Sequence, residues 1–259
     1  MKLRRSWPRP SRRTALIGFA VLGCLAYVFV SKRAPPKFEE GSPILLFNGA
    51  GTSANDVKAI ETILNNNKLS YSTIDSQQLN SLTESQLLNS QLMIIPGGNS
   101  IEIGNGLSPE TIAKVRSAVK RGLNYLGICA GALLAGHGDD KSLNLTSGVK
   151  FDFYSDVNRN VHKNVVTIAT ADGEDLQQYW EDGPQLNGWG KMVSKYPDGT
   201  AATAQGTFGK GWVILCGFHP EAPESWRSGM EFVTPVSISN AYALTIIEAA
   251  LHHHELPHY

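Results

Sequence analysis

Short apolar runs alternate with longer amphipathic stretches through the first half of the chain. In the stretches, apolar residues recur at helical spacing, as at Val57, Ile60 and Leu64, and residues 79–88 predict a more polar helix. The runs predict buried strands at residues 43–47, 69–74, 91–95 and 124–128. This alternation predicts a parallel, doubly wound α/β sheet, and such sheets bind ligands at the carboxyl ends of their strands.

Beyond Gly136 the pattern changes to short alternating segments separated by turn residues, which is typical of strands and hairpins. Residues 208–218 predict a hairpin turn that leads into an apolar strand, and residues 239–251 predict a last helix. The other predicted strands are residues 143–153, 161–170, 177–180, 192–196 and 200–204. We therefore expect an antiparallel β section added to the parallel sheet, all within one domain at residues 43–251.

The N-terminal region, residues 1–42, has a different pattern. Residues 1–13 contain six cations and no acid, residues 14–30 are apolar without a charge, and a Pro-rich linker follows. This is typical of a secretory signal, and the run is near the length of a membrane-spanning helix. Because no cleavage motif follows, we expect an uncleaved transmembrane signal anchor, with the N-terminus cytoplasmic and the domain extracytoplasmic, which is periplasmic in a bacterium. Lipidation at Cys24 is a less favoured alternative.

Composition narrows the classes of partner. The 259 residues include 23 Lys and Arg and 23 Asp and Glu, so no excess charge indicates binding to nucleic acid. The three cysteines form no disulfide framework. No spacing of His, Cys, Asp and Glu indicates a metal site, and we expect no cofactor. We interpret the His-rich tail, residues 252–259, as tag-like or solvated.

The first candidate for chemistry is Cys129, which lies between Gly127 and Gly131 where an apolar run passes into a helical pattern. A nucleophile at a strand-to-helix turn is lifted above the edge of the sheet, and neighbouring glycines permit the tight turn. The N-terminus of the following helix favours the thiolate. A buried structural cysteine in a glycine-rich turn is the alternative interpretation.

His219 is the candidate base for this thiol. It directly follows a long apolar strand, whereas the other histidines lie in the tail or in predicted loops. Glu221 is placed to accept a hydrogen bond from the second ring nitrogen and to fix the tautomer, as the third member of a triad does. The alternative is a solvated His-Pro-Glu turn.

At this point the chain resembles a known family. Gly-x-Cys-x-Gly at 127–131, followed by Gly-Phe-His-Pro-Glu at 217–221, resembles the class I glutamine amidotransferase superfamily. Three further segments are similar to the amidotransferase-like N-terminal domain of eukaryotic biotin–protein ligases: residues 179–184, 195–199 and 209–215. The resemblance covers about 43–251 and implies a flavodoxin-like, class I glutamine amidotransferase-like fold.

The resemblance also implies roles for particular residues. The implied catalytic residues are Cys129 as nucleophile, His219 as base and Glu221 as the group that orients the base. The implied oxyanion and substrate-binding residues are Gly97, Gly98, Ala130, Tyr179 and Gly183. Tyr179 and Gly183 lie in the segment 179–184, for which a turn that only packs aromatic side chains is an equally weighted alternative. The chemistry that such a set supports is acyl transfer through a thioester.

One departure from the family pattern concerns the substrate. Glutaminases of this superfamily carry a Gln four residues after the nucleophile, whereas this chain has Leu133 there. An apolar side chain cannot replace those hydrogen bonds, so we do not expect free glutamine as the substrate. Nor do these residues include a ligase catalytic domain, so we do not expect biotin transfer.

We therefore expect a membrane-anchored cysteine hydrolase that acts on a small amide or peptide-like substrate. Two other functions stay open. One is a binding or regulatory module that keeps the fold and the pocket without turnover, which the missing Gln favours. The other is a peptidase related to the proteolytic branches of the superfamily. The sequence indicates neither the substrate nor the oligomeric state.

Overall fold

The computed structural model describes residues 38–154 and 160–259. These residues belong to one compact unit. Within the two ranges, no helix is both long and apolar enough to span a membrane. The predicted signal anchor at residues 14–30 lies outside the described residues.

A nine-stranded sheet forms the centre of the described part of the chain. The strands are β1 (Ile44–Phe47), β2 (Tyr71–Ile74), β3 (Leu92–Ile95), β4 (Asn124–Ile128), β5 (Lys163–Thr170), β6 (Asp175–Glu181), β7 (Lys191–Lys195), β8 (Ala201–Phe208) and β9 (Gly211–Cys216). Their order across the sheet is β2-β1-β3-β4-β9-β8-β7-β5-β6. The first five strands in this order run parallel, and the pairs beyond β9 are antiparallel. The predicted α/β sheet with an added antiparallel section is confirmed.

Five helices lie between consecutive parallel strands from β1 to β4: α1 (Ala54–Asn66), α2 (Ser76–Ser81), α3 (Glu84–Leu87), α4 (Ser100–Asn105) and α5 (Pro109–Arg121). Helix α6 (Ala130–Ala135) follows β4, and α7 (Val236–Leu251) follows the last strand. The two longest connecting helices begin at serine caps: the Ser53 side chain accepts from the first turn of α1, and the Ser108 side chain does the same for α5. A serine at this position satisfies backbone N–H groups that have no partner inside the helix.

The sheet divides the apolar core into two clusters, because successive residues of a strand face opposite sides. On β1, Ile44 and Leu46 belong to the cluster that includes buried residues of α1 and α7. Leu45 and Phe47 belong to the cluster that includes buried residues of α5. All four residues of β1 are buried. A strand covered on both faces is a continuous apolar run rather than an alternating one, which is the pattern in the sequence.

The carboxyl ends of β4 and β9 are adjacent in the parallel section. Ile128 pairs with Cys216, and the Cys129 N–H donates to the Cys216 carbonyl at 2.8 Å. The turn after β4 and the segment after β9 therefore start from neighbouring points on the same edge of the sheet. This is the edge at which doubly wound sheets bind their ligands.

The strand predicted at residues 143–153 is wrong, since no strand forms in that range. Asn144 has a φ of 52°, which is not an extended conformation. The N–H groups of Leu143 and Leu145 donate to carbonyls at the end of α6, both at 2.8 Å, rather than to a neighbouring strand. The apolar residues of this segment cover the end of a helix, which alternation alone does not reveal.

The helix predicted at residues 79–88 is divided into α2 and α3. Leu82 ends α2 in an extended conformation, and Thr83 caps α3 in a capping box. Residues 252–259, interpreted as a tag-like or solvated tail, are exposed except for Leu256. Leu256 is buried, and its backbone N–H and carbonyl are both bonded by the Gln205 side chain of β8, at 2.8 and 2.7 Å.

Candidate active site

Cys129 lies in the turn between β4 and α6 with φ 49° and ψ −104°. For a residue other than glycine this conformation costs on the order of 1–3 kcal/mol. The strain falls on Cys129 itself, because neither Gly127 nor Gly131 has a positive φ. The glycines are needed for close packing instead: a Cβ on Gly131 would lie 2.0 Å from the Ile95 carbonyl oxygen. They let α6 begin directly against the sheet.

His219 follows β9 and is buried, with 4% of its surface exposed. Its side chain hydrogen-bonds the Cys129 side chain, and its Nδ1 lies 3.0 Å from Glu221 Oε1. The rings of Tyr179 and Trp226 contact the imidazole edge-on, each with a centroid distance of 5.8 Å. The structure therefore brings together the three residues predicted from the sequence as nucleophile, base and orienting carboxylate.

Asp56 joins this group although the sequence pattern did not single it out. It lies in the first turn of α1, and its Oδ1 is 3.1 Å from His219 Nδ1. In the sequence, an Asp shortly after a Ser has an ordinary explanation as the start of a helix, so nothing marks it as a site residue. The signal that could have found it is position: α1 follows β1, whose carboxyl end lies at the same edge as Cys129.

The charges of these groups shift one another's protonation. Burial lowers the pKa of His219, but the negative charges that Cys129 and Glu221 carry when ionised, together with the Asp56 carboxylate 3.1 Å from Nδ1, outweigh burial and raise this pKa well above its ordinary value. Burial raises the pKa of Asp56, but the nearby His219 imidazole outweighs it and leaves this pKa lowered. For Glu221, burial dominates and the pKa is raised. The surroundings of the imidazole therefore favour its protonated form.

The backbone beside Cys129 offers N–H groups for an oxyanion. Gly98 lines the pocket and forms an antiparallel bridge with Thr52. The hydrogen bonds of that bridge run through the neighbouring residues, so they leave the Gly98 N–H without an acceptor among the described residues. Ala130 is the first residue of α6, a position whose N–H has no acceptor inside the helix. Gly97, the third predicted donor, does not line the pocket, and its carbonyl accepts from Ser53 N at 3.0 Å.

Tyr179 and Gly183 lie near the site in different ways. The Tyr179 carbonyl accepts from His219 N at 2.8 Å, and its side chain lines a second pocket on the far side of His219, next to Trp226. Gly183 lines neither pocket, and a Cβ on it would lie 1.8 Å from the Gly217 carbonyl oxygen. Tyr179 thus supports the imidazole, and Gly183 lets the loop after β6 pack against the end of β9.

The main pocket has a volume of about 440 Å³ and opens above Cys129. Its lining in the described part of the chain consists of Ser53, Asp56, Gly98, Asn99, Ser100, Ile101, Cys129, Leu133, Phe153, Glu181, Asp182 and His219. Ile101 and Phe153 are 71% and 48% exposed, so the rim carries two large apolar side chains. Leu133 is partly buried at the position where the related glutaminases have Gln.

One group of side chains has the composition of a metal site. Asp56, His219 and Glu221 offer ligand atoms that all lie within 4.8 Å of one another. Two carboxylates and an imidazole can bind a divalent transition metal. A metal would displace the proton from the His219 nitrogen, and the negative charges that raise the pKa of His219 favour either cation.

Comparison with known proteins agrees with this geometry. Residues 42–162 match the family model for the N-terminal region of biotin-protein ligase. The biotin–protein ligase of Schizosaccharomyces pombe is 28% identical over an alignment 159 residues long, which covers 50% of this chain and 25% of that protein. A crystal structure of a glutamine amidotransferase superimposes with a TM-score of 0.53 at 16% identity, over 69% of this chain and 90% of that chain. The family model covers just under half of the chain, and a structure at this identity shows the fold alone, so the class I glutamine amidotransferase-like fold is confirmed.

The amidotransferase-like fold does not by itself define an activity. A β-galactosidase from Bacillus circulans sp. alkalophilus superimposes with a TM-score of 0.52 at 9% identity, over 81% of this chain and 31% of that chain. The match to the Schizosaccharomyces pombe ligase spans only about a quarter of that protein's length. The function of this amidotransferase-like chain therefore has to be argued from its own site.

Proposed function

We propose that this protein is a cysteine-dependent hydrolase that cleaves a small amide or peptide-like substrate by acyl transfer. The observation that carries the proposal is the buried imidazole of His219, which lies between the Cys129 side chain and two carboxylates and lines the same pocket as Cys129. An imidazole beside a strained, pocket-lining cysteine is the arrangement that activates a thiol nucleophile.

In the proposed reaction, the Cys129 thiolate attacks the substrate carbonyl carbon, and the N–H groups of Gly98 and Ala130 stabilise the oxyanion. His219 donates its proton to the leaving nitrogen as the C–N bond breaks, which leaves a thioester and a free amine. Water then attacks the thioester while His219 accepts one water proton. The carboxylic acid leaves as the C–S bond breaks, and the thiolate and imidazolium are restored. Oxyanion donors of this kind contribute about 3–4 kcal/mol each to transition-state stabilisation.

Leu133 limits the substrate class. It lines the pocket four residues after Cys129, and with Ile101 and Phe153 it gives one side of the pocket an apolar surface. An amide whose acyl part is at least partly apolar fits this surface better than free glutamine does. We therefore propose a small amide or peptide-like substrate other than glutamine.

We further propose that the enzyme is anchored in a membrane by residues 14–30 and acts on the extracytoplasmic side. This proposal rests on the basic residues 1–13 and on the uncharged apolar run that follows them. Fractionation of cells that express the full chain tests it, together with the mass of the mature protein. The expected result is an uncleaved chain in the membrane fraction whose domain is digested by protease added outside the cytoplasm. A soluble chain or a cleaved one would contradict the proposal.

The hydrolase is tested with a panel of amides and short peptides that includes glutamine. Wild-type protein is compared with Cys129→Ala, and Cys216→Ala serves as a matched control at the other cysteine of the domain. We expect one or more apolar amides to release amine and acid with the wild type and the control but not with Cys129→Ala. A covalent acyl adduct on Cys129, detected by intact mass, is expected for slow substrates.

A catalytically silent binding module is the second candidate. Two observations favour it: Leu133 replaces the glutaminase Gln, and the Cys129 thiol donates a hydrogen bond to the Glu181 carbonyl at 3.4 Å rather than pointing freely into the pocket. The same panel decides between the two functions. If no compound gives product or adduct, and Cys129 reacts with iodoacetamide no faster than free cysteine does at pH 6, the module is the better account.

A further inference from the structure

His219 Nδ1 has two carboxylates within reach rather than one. Nδ1 lies 3.0 Å from Glu221 Oε1 and 3.1 Å from Asp56 Oδ1. A ring nitrogen carries a single N–H, so it can point at only one of these oxygens. The aligned hydrogen bond goes to Glu221, whereas Asp56 Oδ1 has no aligned partner among the described residues. The two carboxylates therefore interact with the same ring in different ways.

The surroundings of the two carboxylates also differ. Asp56 lies in the first turn of the 13-residue helix α1 and lines the pocket. The positive end of a helix stabilises an anion by about 0.3–1 kcal/mol at exposed positions. The Glu221 side chain is 0% exposed, does not line the pocket, and its Oε2 has no partner in the described part of the chain. A carboxylate with an unpartnered buried oxygen is costly to ionise.

We propose that the two carboxylates act on His219 in complementary ways. Glu221 orients the imidazole ring through the Nδ1 hydrogen bond, and Asp56 supplies the negative charge that keeps the ring protonated opposite Cys129. Asp56 is thus a positioning residue that acts through His219. The inference rests on the proposed role of Cys129 and His219. It adds a fourth member to the three residues that the family resemblance implies.

The close approach of Asp56 and His219 depends on a glycine at position 97. A Cβ on Gly97 would lie 2.2 Å from Asp56 Oδ1 and 2.7 Å from His219 Cε1. Only glycine at this position lets the carboxylate of α1 and the imidazole come together beside the end of β3. The charge of an ionised Glu221 also acts on His219. However, burial raises the pKa of Glu221, whereas His219 lowers that of Asp56, so Asp56 is the more readily ionised of the two carboxylates.

The test is the pH dependence of Cys129 alkylation, which does not require a substrate. The titratable groups that interact with His219 are Asp56 from α1, Cys129 from the turn after β4, Tyr179 from β6, and Glu221 and Cys216 from its own segment. Wild type, Asp56→Asn, Glu221→Gln and a control, Asp75→Asn, are alkylated with iodoacetamide as full chains between pH 4 and 9. Asp75 caps α2 outside the pocket, so its variant reports any general effect of removing an Asp from a helix start.

Asp56→Asn is expected to lower the pKa of His219, since a cation that loses an adjacent opposite charge shifts its titration by roughly 1–3 units. Fewer molecules then carry the imidazolium that favours the Cys129 thiolate, so the midpoint of the alkylation profile is expected to move upward by about one pH unit. A shift of that size corresponds to a roughly tenfold lower rate of alkylation at pH 6. Glu221→Gln is expected to move the midpoint less than half as far, and Asp75→Asn not at all. Circular dichroism establishes that each variant is folded.

Two outcomes overturn the inference: an unmoved midpoint in Asp56→Asn, or a shift in Glu221→Gln that equals or exceeds it. If Asp56→Asn does not fold, a tenfold loss at pH 6 in Glu221→Gln alone contradicts the proposed division. Zinc chloride added to the wild type tests whether these residues bind a metal instead. If equimolar zinc protects Cys129 from alkylation in the wild type but not in Asp56→Asn, the inference is also overturned. A shifted profile without turnover of any amide would leave the inference standing and remove the hydrolase.

Discussion

Cys129 and Cys216 lie side by side at one edge of the sheet, and their surroundings are opposite in kind. Cys129 lies in a turn, has a strained backbone, lines the pocket and interacts with His219. Cys216 is the last residue of β9 and is fully buried, with its thiol donating to the Phe218 carbonyl at 3.3 Å. Burial raises the pKa of Cys216 to about 12. The comparison teaches that two buried thiols at neighbouring strand ends can differ in backbone strain and in access to a pocket.

The largest expected difference between the two thiols is in their rates of labelling. With its pKa raised to about 12, Cys216 is a thiolate in only about 10⁻⁵ of native molecules at pH 7. Iodoacetamide is therefore expected to saturate Cys129 before Cys216 is detectably modified, as measured by peptide mass mapping. In denaturant the two should react at similar rates. If the two cysteines are labelled at comparable rates in the native protein, the proposed difference between their environments is contradicted.

The second prediction concerns the elbow that separates the thiols. In Gly131→Ala, the new Cβ would meet the Ile95 carbonyl oxygen at 2.0 Å, so the backbones of α6 and β3 must move apart. We expect the free energy of unfolding to fall by about 3 kcal/mol, the upper part of the range for overpacking, and fast labelling of Cys129 to be lost.

Gly173→Ala is the matched control for this change. Gly173 has a φ of 94° and open space around its Cβ position, so only backbone strain of about 1–2 kcal/mol is expected, with Cys129 labelling unchanged. Urea unfolding and labelling measure both quantities. If the two variants behave alike, close packing of the elbow is not what exposes the thiol.

The third prediction is a pH dependence of stability that belongs to Cys216. The unfolded thiol ionises near pH 9, whereas the folded one keeps its proton to about pH 12. Between these values the folded state binds more protons, so stability falls as pH rises, by up to about 1.4 kcal/mol per pH unit. Urea unfolding at pH 8.5 and pH 10 is expected to show this slope in the wild type and a smaller one in Cys216→Ala. Equal slopes would contradict the inert environment assigned to Cys216.

The sequence was sufficient for the parallel section because its strands are covered on both faces and separated by capped helices. β1 and β3 are uninterrupted apolar runs, β4 is buried throughout although it begins with Asn124, and Ser53 and Ser108 mark the helices between these strands. The sequence was insufficient to predict the structure where apolar residues pack on something other than a neighbouring strand. The segment at 143–153 packs on the end of α6, and Leu256 is held by a single Gln side chain.

For the site, the sequence reveals which residues follow each strand, but it does not reveal which residues from other helices and turns pack beside them. Cys129 and His219 were predictable because each directly follows an apolar strand at the active edge. Asp56 and Trp226 were not, because one resembles a helix-start acid and the other lies in a short 3₁₀ turn whose position depends on tertiary packing. Their contacts with His219 exist only once the sheet has brought α1 and this turn to the same place.

The most direct test of thiol activation is thiolate absorbance near 240 nm, taken as the difference between wild type and Cys129→Ala across pH 4 to 10. We predict that the difference is already present at pH 6, and that in a His219→Ala background it appears only near the ordinary titration of a cysteine, at about pH 8.5. A difference that appears near pH 8.5 in both backgrounds would contradict the claim that His219 and its carboxylates activate Cys129.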